Sequence, residues 1–174
     1  MAKDNDDIRI KIARQTVEYF VRTGKAPAIE IPDELSRPAA AFVTLKTDEG
    51  LRGCIGTLMP TCDNQGQEIM QNAISACSRD PRFPAVAPAE LEGLHYQVYI
   101  LKEPEPVKGM EELDPKRYGV IVCKDHRRGV LLPDLEGIDT VEQQVGIACR
   151  KGRIDPKDNP ELLRFEVETY SEKN

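Results

Sequence analysis

Two β-forming runs, Ala39 to Lys46 and Leu51 to Gly56, stand on either side of the turn-forming tetrad Thr47-Asp48-Glu49-Gly50. A chain so arranged folds back on itself as a hairpin. The return strand, Leu51-Arg52-Gly53-Cys54-Ile55-Gly56, holds the chemistry. Strands send alternate side chains to opposite faces, so Arg52 and Cys54 are expected on one face and Leu51 and Ile55 on the other, turned to the core. Glycine inside a strand gives up packing and backbone entropy at roughly 0.5–1 kcal/mol relative to alanine, so Gly53 and Gly56 mark a bulge or the close approach of a ligand or another strand. A nearby guanidinium favours thiolate over thiol, which makes Cys54 a candidate nucleophile or redox thiol. The competing reading is an inert, packed cysteine, since unpaired cysteine is among the most buried residue types.

The other elements follow from periodicity and punctuation. Ile8, Ile12, Val17, Phe20 and Val21 fall mostly on one helical face from about Asp7 to Thr23, with Gly24 where a left-handed cap belongs. Pro27, Pro32 and Pro38 then impose a surface connection. A second helix is expected from Gln67 to Ser78, capped from Asp63-Asn64, with Cys77 in its apolar stripe as core filling. In Arg79-Asp80-Pro81-Arg82-Phe83-Pro84 each proline biases its predecessor to extended geometry and so holds Asp80 and Phe83 in place. Leu94 to Lys102 alternates as a long strand, on which His95 reads as a histidine bonded to a neighbour rather than a catalytic imidazole. The stretch Glu103 to Pro106 reads as a surface loop. Tyr118 to Lys124 and Gly129 to Leu132 form a second hairpin, joined by Asp125-His126-Arg127-Arg128. Asp139-Thr140-Val141-Glu142-Gln143 offers a capping box to a last helix that buries Val141, Val145 and Ala148 and ends near Gly152. One closing strand is expected from Leu163 to Tyr170, followed by a frayed charged tail.

At 174 residues the chain fits a single domain, residues 1–174, with a small lobe formed by a middle segment and a core that needs no staples. The absence of a long apolar run excludes a spanning helix and any membrane partner. The start, Met1-Ala2-Lys3-Asp4-Asn5-Asp6-Asp7, lacks the apolar stretch of a secretory signal, which implies a cytoplasmic protein with reduced thiols. Cys54, Cys62, Cys77, Cys123 and Cys149 have neither CxxC spacing nor a Cys/His cluster, so neither a disulfide framework nor a metal is expected. A net charge of −6 repels a phosphate backbone and argues against nucleic acid. With no Gly-rich phosphate loop, no cofactor is expected. Only His95 and His126 could serve as an imidazole base, so a hydrolase triad has little support. Within this acidic chain Lys124, His126, Arg127 and Arg128 gather at one hairpin tip, which suits an anionic ligand or an acidic partner.

Ala41-Phe42-Val43-Thr44-Leu45, Leu51 to Gly56, Asp80-Pro81-Arg82-Phe83-Pro84, Leu131-Leu132-Pro133 and Glu142-Gln143-Gln144 occur in that order. With them the chain, from about Ile8 to Tyr170, resembles the AMMECR family, and most closely its bacterial and archaeal AmmeMemoRadiSam system protein A branch. That resemblance implies an α+β fold, mainly antiparallel sheet flanked by helices, with a larger lobe built from both chain ends and a smaller one between. It also implies the company of a Memo-like protein and a radical SAM protein, while the activity of the family is unassigned. Relatives usually carry Lys-Ala-Gly-Ile where this chain has Lys151-Gly152-Arg153-Ile154, which puts the cap of the last helix in question. The chain lacks the CxxxCxxC pattern that holds a radical SAM cluster, so radical chemistry would belong to the partner.

Two functions remain open. In the first, Cys54 is the nucleophile or redox thiol and Arg52 lowers its pKa or holds a small anionic substrate, with Gly53 and Gly56 giving close approach and Arg82, paired to Asp80, positioning the far end. In the second, a noncatalytic module docks on the Memo-like or radical SAM partner through the glycine-rich strand and the basic hairpin of His126, Arg127 and Arg128.

Overall fold

A computed structural model describes residues 6–173. Among them are three α-helices, α1 (Ile8–Thr23), α2 (Gln65–Ser78) and α3 (Val141–Gly152), and eight strands: β1 (Ala40–Thr47), β2 (Gly50–Gly56), β3 (His95–Leu101), β4 (Glu105–Val107), β5 (Gly119–Lys124), β6 (Arg127–Leu131), β7 (Glu161–Phe165) and β8 (Val167–Ser171). The strands form two four-stranded sheets, ordered β2-β1-β3-β8 and β4-β7-β5-β6. The pairs β1–β2, β4–β7, β5–β6 and β5–β7 are antiparallel, and the expected α+β architecture is observed. The chain divides into two compact units, Met1–Ile100 with Glu168–Asn174, and Leu101–Val167.

In the first unit, α1 begins where the Asp7 side chain accepts from the Arg9 N–H and ends at Gly24, whose φ of 73° only glycine adopts without strain. Its buried Ile10, Ile12, Ala13 and Val17 meet Ile69 and Ala73 of α2, and both helices share a core with Val43, Leu45, Tyr96 and Val98 of the sheet. Each fully buried aliphatic side chain there contributes about 1.5–3 kcal/mol. The alternation expected for β3 is observed, with Tyr96, Val98 and Ile100 buried. In the second unit, α3 carries the expected capping box of Thr140 and Gln143, and Val145, Ala148 and Cys149 pack against Val120, Val122 and Leu131.

Four local expectations change. The second hairpin turns in two residues, Asp125 and His126, because Asp125 takes φ 54° and lets β6 start at Arg127 rather than Gly129. Glu105–Val107 is a strand and not a loop: β4 lies at a sheet edge, where Pro106 removes no needed ladder bond. The closing strand is two strands in different sheets, separated at Glu166, whose carbonyl accepts from the Lys102 N–H. The tail after Tyr170 is fastened: Glu172 bonds to Arg14 and His95, and the Lys173 N–H donates to Asp6.

Candidate functional site

The β1–β2 ladder pairs Thr44 with Cys54, Leu45 with Gly53 and Lys46 with Leu51, so Arg52 is the extra residue of a β-bulge. That extra residue interrupts the alternation between Gly53 and Leu51 and leaves Arg52 without a ladder partner. The Arg52 guanidinium, with the side chain only 12% exposed, donates from Nε to Glu90 at 2.7 Å and from Nη2 to the other Glu90 oxygen at 3.1 Å. This forked pair, completed by the Ala87 N–H at 2.7 Å, holds the Glu90 carboxyl below its usual pKa, chiefly through Arg52. Glu90 had no local signal in the sequence.

Leu51 is 42% exposed, contrary to the expected core position, while Ile55 does pack against the core. The bulge is the reason: Ile55 and Gly53 pair with the buried Val43 and Leu45, but Leu51 pairs with Lys46, the next residue along β1, and so takes the opposite face. A Cβ on Gly53 would lie 2.3 Å from the Ala76 carbonyl oxygen, and one on Gly56 would lie 2.1 Å from the Phe42 ring. The groups that crowd the two glycines belong to the chain itself.

Cys54 is half-buried, and its Sγ lies 3.0 Å from Thr44 Oγ1 across the hairpin. Its backbone faces the open edge of the sheet, where Asp80 Oδ2 accepts from the Cys54 N–H at 2.9 Å and Arg82 Nη2 donates to the Cys54 carbonyl at 3.3 Å. Asp80, with a side chain 2% exposed, also accepts from Arg82 N at 3.1 Å, Nε at 3.0 Å and Nη2 at 2.7 Å. Arg82 leads in holding the Asp80 carboxyl far below the usual carboxylate range; burial opposes it and the Cys54 N–H helps. The expected proximity of Asp80, Arg82 and Cys54 is therefore met through the Cys54 backbone, and the pair closes a strand edge that would otherwise offer bare N–H and C=O groups. Burial pushes the Cys77 thiol up to about 11, in keeping with core filling.

Beside this strand, Glu68 of α2 is fully buried. Its oxygens accept from Thr57 Oγ1 at 2.5 Å, Thr61 Oγ1 at 2.9 Å, Thr61 N at 2.9 Å and Cys62 N at 2.8 Å. Burial alone would raise its pKa, but these bonds outweigh burial and the net shift is downward. The carboxylate therefore pins the segment that follows β2. His95 bridges Asp48 at 3.2 Å and Glu172 at 3.3 Å, as a bonded strand histidine. In the second unit, Arg127 donates to the Arg153 carbonyl at 2.8 Å, and His126 and Arg128 are exposed. Among the described residues no three His, Cys, Asp or Glu side chains converge to hold a metal ion.

The AMMECR1 family matches residues 10–172. The chain belongs to the AMMECR1 family. A protein of Thermotoga maritima is 54% identical over 166 residues, covering 92% of this chain and 95% of its own length. A protein of Clostridium acetobutylicum is 42% identical over 175 residues, 98% of this chain, but the AMMECR1 chain spans only 37% of that longer relative. The crystal structure of an uncharacterised protein from Pyrococcus horikoshii superposes with a TM-score of 0.87 at 29% identity, covering 97% of this chain and 91% of that one. No helix among the described residues is long and apolar enough to cross a membrane.

Proposed function

We propose that this AMMECR1 chain is a noncatalytic protein-binding module, of the AmmeMemoRadiSam system protein A type, that docks on a Memo-like or radical SAM partner. One observation carries this reading: both guanidinium groups around Cys54 are held by carboxylates of the same unit, Arg52 by Glu90 and Arg82 by Asp80. Groups so satisfied build a rigid platform, whereas an acid-base or nucleophilic centre keeps a cation or base directed at the reacting atom. Co-purification of the intact protein with separately expressed Memo-like and radical SAM proteins tests it. Arg127→Glu with Arg128→Glu weakens capture and Cys54→Ser leaves it unchanged. Capture that depends on Cys54, or is indifferent to the hairpin, refutes the reading.

A thiol site for a small anionic substrate is the second reading, favoured by the half-buried Sγ beside Thr44 and by Arg82, 54% exposed, at the Cys54 carbonyl. It requires Cys54 to alkylate as a thiolate below about pH 8.5, the free-cysteine value. A native-state alkylation profile with no thiolate there removes it.

A further inference from the structure

The cations of the second unit are gathered from two stretches of sequence by one close contact. A Cβ on Gly129 of β6 would lie 1.7 Å from the Ala148 carbonyl oxygen of α3, and one on Gly152 would lie 2.7 Å from Gly129 N and 2.8 Å from the Arg128 carbonyl carbon. Facing glycines thus let the end of α3 settle directly on β6. Arg153 caps α3 in the left-handed conformation at φ 55°, and the Arg127 guanidinium ties its carbonyl to the hairpin at 2.8 Å. Arg150, Lys151 and Arg153 are thereby brought beside Lys124 and Arg127, which the ladder pairs with each other.

These charges are largely unneutralised. Among the described residues Arg150, Lys151 and Arg153 are exposed, and they and Lys124 form no ion pair with a carboxylate; Arg127 reaches only the exposed Asp125, at 3.9 Å. Asp155 accepts from the Lys157 N–H, and Glu161, which faces Cys123 across the β5–β7 ladder, forms no ion pair among the described residues. Arg52, Arg82, Arg117 and Arg164, by contrast, each hold a carboxylate. The dipole of α3 accounts for cations in its last turn, but not for those of the hairpin.

We propose that the C-terminal end of α3 and the β5–β6 hairpin form a docking surface for an acidic peptide segment of a partner protein. This rests on the reading of the chain as a binding module and supplies the chemistry of its partner. Arginine forks engage carboxylates in pairs, and unpaired surface cations steer an acidic segment into place. The net charge of −6 disfavours a long polyanion such as nucleic acid, while a short peptide meets only the local field.

The test is fluorescence anisotropy of a labelled glutamate-rich synthetic peptide with the full chain at low salt. Saturable binding that weakens as salt rises is expected, and Arg150→Glu with Lys151→Glu lowers affinity about tenfold or more. Lys25→Glu, an exposed charge reversal in the other unit, leaves affinity unchanged, and equal melting temperatures show that the variants are folded. Absence of saturable binding, an equal loss with Lys25→Glu, or tighter binding of a single-stranded oligonucleotide of matched charge overturns the proposal. If Arg150→Glu with Lys151→Glu abolishes peptide binding but leaves partner capture intact, this surface alone is overturned; if the wild-type chain binds the peptide but captures neither partner, the module reading fails instead.

Discussion

Asp80→Ala removes the buried side chain that, together with Arg82, joins the edge of β2 to the proline-fixed loop. Four hydrogen bonds disappear, from Cys54 N and from Arg82 N, Nε and Nη2. They are not equal. Arg82 is 54% exposed and recovers water, so its ion pair contributes no more than about 1 kcal/mol. The Cys54 N–H sits in a half-buried strand and loses its acceptor, at a cost of roughly 1–3 kcal/mol. The sum is about 1–4 kcal/mol, which for a chain of this size lowers Tm by roughly 2–16 °C. Thermal and urea unfolding of wild type, Asp80→Ala, Arg82→Ala and the double variant separates the two parts. The coupling energy of the cycle should be within about 1 kcal/mol, and Arg82→Ala alone should cost less than Asp80→Ala. Since the Asp80 pKa is lowered on folding, its contribution is present above the unfolded value near 3.8 and fades as pH falls through the folded value, so wild type loses its advantage over Asp80→Ala only in strong acid. A loss below about 0.5 kcal/mol for Asp80→Ala, or a cost carried wholly by Arg82, refutes the edge-clamp argument.

Gly53→Ala drives a methyl group into the backbone of α2 at Ala76 and should cost about 1–3 kcal/mol in urea unfolding, since a backbone carbonyl cannot swing aside as a side chain can. Glu68→Ala orphans the Thr61 and Cys62 N–H groups and should cost roughly 2–6 kcal/mol, whereas Glu68→Gln costs less by turning its carbonyl to those donors and its NH2 to the hydroxyls. Glu68 is lowered on folding, so its contribution holds above the ordinary value near 4.5 and is lost as pH falls through the folded one; unfolding followed toward acid shows a slope that Glu68→Gln flattens. His95 has the opposite sign. Glu172 first and then Asp48 raise its pKa, so its stabilisation is full below the unfolded value near 6.5 and is lost as pH rises through the folded one, a dependence that His95→Gln abolishes in melts taken from pH 5.5 to 8.5.

What could be read from the sequence was what neighbours in sequence decide. The stripe of α1 with its Gly24 stop, the Thr140–Gln143 box and the alternation of β3 are local, and each is present in the fold. The bulge at Arg52 is not local. It depends on which residues of β1 face β2, and one extra residue redirects a guanidinium toward an acid 38 positions away. Glu166 divides what reads as one strand because the Lys102 N–H takes its carbonyl and the side chains of Lys102 and Arg117 take its carboxylate. The tail looked frayed because the Arg14 and Asp6 that hold it lie at the other end of the chain.

The same asymmetry bears on function. Adjacency in sequence suggested that Arg52 would serve Cys54, yet the arginine serves Glu90, and the thiol meets a threonine from the strand opposite. A cation with a distant carboxylate across from it is part of the architecture, and its charge is largely cancelled before any ligand arrives. A cation left without one keeps its field. Arg150, Lys151 and Arg153 are of that kind, and the two glycines that let α3 press on β6 hold them close to the hairpin. Exposed charge held in place by backbone packing and not neutralised within the fold is balanced only by water and counterions and so attracts an external carboxylate, and this is the physical reason to look for the partner at the end of α3 rather than at the cysteine.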